Sequence, residues 1–109
     1  NILNKLLNKY PNLNIDISWD AVIKILCCNK ENIRLYVDFI NNNSKRFITG
    51  SDFVGSSNKL YKSYKNDMSK PRTFTNKIND EAYTNIFLGK NYIKLYNLKF
   101  NIPILKNKK

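Results

Sequence analysis

Histidine is absent from all 109 residues. With it go the usual general base at neutral pH, the commonest metal ligand and the familiar nucleophile triads. Cysteine is confined to the adjacent pair Cys27 and Cys28. Neighbouring thiols cannot provide the long-range staples of a secreted disulfide scaffold, and two cysteines without histidine do not close a zinc site, so both are read as reduced thiols in a helix. Glycine, proline and arginine number three each and alanine two. Gly50 and Gly55 do not make a phosphate-binding loop, because the Gly-Lys-Ser/Thr ending that opens a helix is missing. No apolar run reaches the roughly 20 residues needed to cross a bilayer, since the longest, over 21–28, is broken by Lys24. The first residues lack the charged start, apolar stretch and cleavage site of a secretion signal. These absences lead to the expectation of an intracellular protein, in cytoplasm or nucleus of a host or, alternatively, in an organelle matrix, with no membrane contact and no cofactor.

Acidic residues are also scarce. Eight Asp and Glu face nineteen Lys and Arg, for a net charge of +11, and the surplus is uneven. Residues 1–50 hold seven cations against four anions, whereas 51–109 hold twelve against four. The second half therefore points toward an acidic partner. The abundance of Asn, at 19 residues, and Lys, at 16, is what an A/T-rich genome produces, so part of the lysine excess reflects codon usage. The 42% hydrophobic fraction is too high for a disordered chain and suits one modest core. The expected organisation is a single domain over 1–109, a flexible connector at 50–57 and a basic tail at 105–109.

Local patterns predict mostly helices. Ile2, Leu3, Leu6 and Leu7 recur at helical spacing and are stopped by Tyr10-Pro11. Residues 13–17 alternate as a short strand. Ser18 is placed to cap a helix carrying the stripe Trp19, Val22, Ile23 and Leu26. Asn29 is placed to cap a second, with Ile33, Tyr36, Val37 and Ile40 inward, and the two make a helix-turn-helix-like pair. The stretch 58–69 reads either as a short basic helix or as a basic loop. Residues 73–78 and 98–104 read as strands, the latter with Pro103 at an edge. Between them, Asn79 as N-cap, Asp80 and Glu81 in the first turn, an apolar face of Ala82, Tyr83, Ile86 and Phe87, and Gly89 as a left-handed stop define a helix. The expected fold is a small, mainly helical α+β domain with a short β-hairpin or edge sheet.

For chemistry, the carboxylate pairs Asp16 with Asp20 and Asp80 with Glu81 have a simpler use at helix starts than as metal-dependent nuclease centres, so the chain is read as non-enzymatic. The positive constellation is Lys45, Arg46, Lys59, Lys62, Lys65, Lys70, Arg72 and Lys77, with Tyr61 and Tyr64 among them. Cations on one surface release counterions from a nucleic acid, tyrosine hydroxyls reach phosphate or sugar, and arginine makes bidentate contacts that lysine cannot. Trp19, Tyr92 and Tyr96 are read as packing residues.

The order of these features resembles the small DNA-binding domains of phage antirepressors and large DNA viruses, the KilA-N, AntA-like and Bro-type group. The resemblance rests on a Trp-bearing helix at 18–28, a second helix closed by Phe47 and the Gly50-Ser51-Asp52-Phe53 turn, a basic spacer, and Arg72-Thr73-Phe74 leading to Glu81-Ala82-Tyr83. It spans about 70 residues and implies a viral DNA-binding protein in a regulatory or replicative setting. The expected partner is nucleic acid, DNA before RNA, with a protein partner or homodimer in addition. Two alternatives stand beside it: a structural RNA-binding subunit of an organellar or viral ribonucleoprotein, and a helical protein-interaction module.

Overall fold

The computed structural model describes residues 2–18, 22, 24–26, 31–50, 56–58, 61–69 and 71–106. In chain order these form α1 (Ile2–Lys9), β1 (Ile15–Asp16), α2 (Ile33–Asn42), a 3-10 turn (Ser44–Arg46), β2 (Phe47–Ile48), α3 (Tyr61–Ser69), α4 (Arg72–Thr75), α5 (Asp80–Ile86) and α6 (Lys90–Leu95). Val22, Lys24, Ile25 and Leu26 are also helical. The protein is a small mixed α+β domain, predominantly helical, with a short two-stranded sheet. Trp19, Cys27, Cys28 and Asn29, and with them the turn of the expected helix pair, lie outside the described residues, as do most of the connector and the end of the basic tail.

Helix α5 is the hub, resting on the 3-10 turn, α2, β2 and α6. Its start follows from the sequence: the Asn79 side chain accepts a hydrogen bond from the Ala82 N–H at 2.7 Å, with Asp80 and Glu81 in the first turn, so an orphan donor is satisfied and the helix dipole is complemented. Gly89 then takes the left-handed conformation, φ 78°, that lets the chain turn directly into α6. Ala82 and Ile86 join Ile17, Leu26, Ile40, Phe47, Phe74 and Ile78 in one buried cluster. Phe39 meets Phe47 edge to face at 5.8 Å, a favoured aromatic geometry.

The sheet is an edge sheet and not a hairpin. Ile15 pairs with Phe47 and Asp16 with Ile48 in parallel, and the Ile17 N–H extends the ladder to the Ile48 carbonyl at 3.0 Å. Parallel strands need a long crossover, which here contains α2. Phe47 and Ile48, just ahead of the expected connector at 50–57, supply the second strand.

Two expected strands are absent. Over 73–78 the chain forms α4 and a turn, because Phe74 and Ile78, both buried, stand four residues apart while Asn76, which a strand would place on their face, is exposed. Thr75 fits the helix by donating its hydroxyl to the Arg72 carbonyl at 3.3 Å. Residues 98–104 are extended in pattern but pair with no strand among the described residues. The stretch 58–69, read either as helix or as loop, contains the helix α3, and Lys90–Leu95 form α6. The latter closes with a Schellman arrangement: the Leu98 N–H reaches the Ile93 carbonyl at 2.9 Å, the Asn97 N–H reaches Lys94 at 3.3 Å, and Asn97 has φ 51°.

Asparagine, expected mainly as a compositional bias, fastens the interior. The buried Asn85 amide donates to the Ser44 hydroxyl at 3.0 Å, and the Asn91 amide donates to the carbonyls of Ser44 at 2.6 Å and Phe47 at 2.7 Å. The Asn41 side chain accepts from the Asn79 N–H at 2.9 Å. No buried side-chain polar atom among the described residues lacks a partner, which is what a buried polar network requires to be stabilising.

Candidate nucleic-acid interface

Helix α3 gathers four of the ten residues singled out for anion contact. Lys62 and Lys65 stand one turn apart and exposed, and Tyr61 and Tyr64 are likewise exposed, with ring centroids 6.4 Å apart and planes inclined by 37°. Spacing alone accounts for the arrangement: positions three and four apart are neighbours on a helix, so Tyr61 shares a side with both Tyr64 and Lys65. Among its described side chains only Ser63 is half-buried and none is buried. The helix thus offers cations and planar rings to solvent over residues 61–65. Its last turn is closed by the Ser69 hydroxyl donating to the Asn66 carbonyl at 2.7 Å.

Downstream, Arg72 is exposed at the start of α4, after Pro71, whose φ of −66° suits a helix start. Lys77 is exposed in the turn that follows, and Lys45 is exposed in the 3-10 turn. Lys59 and Lys70 lie outside the described residues.

Arg46 is spent elsewhere. Its Nε donates to the Leu13 carbonyl at 2.8 Å, its Nη2 to Tyr10 at 2.7 Å and also to Leu13, and its Nη1 reaches Leu7 at 3.5 Å. The guanidinium therefore caps the carbonyl end of α1 and ties the segment 10–13 to the 3-10 turn, a use that the helix dipole favours and that the five-donor fork suits. This geometry withdraws Arg46 from the anion-facing set. Sequence reasoning had no sign of it, because the acceptors are main-chain oxygens 33 to 39 residues away.

The carboxylates have local roles: Asp16 accepts from the Ser18 N–H at 2.8 Å, and Asp80 and Glu81 occupy the first turn of α5. Among the described residues, no three His, Cys, Asp or Glu side chains gather as a metal-ligand set, and no helix is long and apolar enough to cross a membrane.

Tyr92 and Tyr96, expected as packing residues, are 48% and 56% exposed. Their rings contact each other, with centroids 4.6 Å apart. Helix α6 instead holds to the domain through Asn91.

The chain matches no protein-family model, no curated protein and no solved structure.

Proposed function

We propose that the chain is a non-enzymatic nucleic-acid-binding domain, DNA before RNA, acting intracellularly in the regulatory or replicative manner of the viral antirepressor-type domains it resembles. The observation that carries this reading is α3: a helix that buries none of its described side chains while presenting Lys62, Lys65, Tyr61 and Tyr64 to solvent. Lysines bind phosphate by charge and release counterions, and tyrosines add contacts to sugar and phosphate. Arg72, Lys77 and Lys45 are exposed and extend the set, and the surplus of twelve cations over four anions in 51–109 draws a polyanion to it.

The test is equilibrium binding of the full chain to duplex DNA and to structured RNA of equal length, each titrated across salt, for the wild type and for Lys62→Ala/Lys65→Ala. Expected is binding that weakens linearly in log[salt], with the double variant weaker and its slope shallower by about 2. A preference for RNA replaces the regulatory reading by that of a ribonucleoprotein subunit. Absence of binding, or binding indifferent to salt, overturns the proposal.

A further inference from the structure

We propose that α6 and the segment that follows it form a second contact, an aromatic platform for the unpaired bases of single-stranded DNA. It is made by Tyr92 and Tyr96, whose rings meet at the end of α6, with the exposed Phe100 following in the segment beyond. The inference rests on the nucleic-acid reading above and adds to it the form of the ligand. All three aromatic side chains are open to solvent, Phe100, beyond the helix end, being 70% exposed. The two tyrosine rings brace each other at 4.6 Å with planes inclined by 45°, so each is held in place while keeping solvent-accessible surface. Asn91 fixes the helix beneath them through its two amide hydrogen bonds to the Ser44 and Phe47 carbonyls. The platform therefore stands on a rigid support, whereas residues 98–106 belong to no helix or sheet and can follow a flexible strand.

Charge selects the occupant. No Asp or Glu occurs after Glu81, and the remaining 28 residues carry six lysines. A second copy of a chain with net charge +11 is repelled from such a surface, while a polyanion is attracted. Among polyanions, exposed tyrosines favour one with planar groups. A stacked base covers the ring face and leaves the phenol hydroxyl in water or on a phosphate. Duplex bases are already stacked and present no free face, so the platform discriminates for the single strand.

The test compares the full-length wild type with Tyr92→Leu/Tyr96→Leu, which keeps bulk and apolarity but removes the π-faces, and with Tyr92→Phe/Tyr96→Phe, which keeps them. Binding is measured by fluorescence anisotropy to a labelled single-stranded DNA of about ten nucleotides, to the corresponding duplex and to phosphatidylserine vesicles, with circular dichroism melting as the folding control. Expected is a loss of about tenfold or more in single-strand affinity for the leucine variant, retention by the phenylalanine variant, and little change on duplex. If the wild type binds nucleic acid and Lys62→Ala/Lys65→Ala weakens it while the leucine variant does not, the platform is overturned and the α3 reading stands. If the wild type binds neither nucleic acid, both fail. Vesicle binding tighter than single-strand binding also overturns the platform. A leucine variant that no longer melts cooperatively shifts the decision to the single substitution Tyr96→Leu, expected to lose single-strand affinity; unchanged affinity there overturns the proposal.

Discussion

Helices α5 and α3 are seven and nine residues long, and neither could persist alone in water at that length. Helix α5 carries a capped start, buries Ala82, Asn85 and Ile86, and rests on the 3-10 turn, α2, β2 and α6. In α3 no described side chain is buried, and its two tyrosines, Tyr61 and Tyr64, lie ring beside ring. Burial on one side and solvent on the other separate a helix that holds the fold together from one that the fold holds out. The same division explains the two arginines compared most easily: Arg46 is consumed by carbonyls of the N-terminal segment, and Arg72 remains exposed at the start of α4.

The contrast is broken most severely on the buried side. Phe74 is fully buried in the cluster that α5 joins, and Phe74→Ala is expected to destabilise by about 3–5 kcal/mol through lost transfer energy and the cavity left behind, read from denaturant unfolding. Removing the cap is milder. Asn79→Ala frees the Ala82 N–H of its partner and is expected to cost about 1 kcal/mol, with circular dichroism showing a lower midpoint and an intact fold. The smallest effect sharpens the other side of the comparison: Tyr61, 78% exposed, can become Ala with a stability change within about 0.5 kcal/mol. A drop of several kcal/mol for that substitution would show that α3 is structural after all.

The residues that the sequence made legible are those whose signal is local. The α5 start is a matter of Asn79 and the next three residues, and the Gly89 turn depends on one torsion angle, so both can be read without knowing what lies across the core. Residues 73–78 misled because β-branched threonines flank Phe74, although the spacing of Phe74 and Ile78 was helical. The 98–104 pattern has the alternation of a strand, but a strand also needs a neighbour, and no local pattern can supply one. At the candidate site, the lysines and tyrosines of α3 were legible as a set. The commitment of Arg46 and the exposure of Tyr92 and Tyr96 were not, since each depends on what distant segments bring close.

By itself, then, the sequence determined a mainly helical α+β domain, the cap and turn that bound α5, the lopsided positive charge, and the basic aromatic character of 61–65, because propensity, capping and charge act within a few residues. Tertiary structure alone decided that β1 and β2 pair in parallel across 30 residues of chain, that Asn85 and Asn91 pin α5 and α6 to the 3-10 turn, and that Arg46 is committed to main-chain carbonyls of the N-terminal segment. Those outcomes depend on hydrogen-bond donors and acceptors far apart in sequence, whose pairing is fixed only when the core closes and water is no longer there to satisfy them.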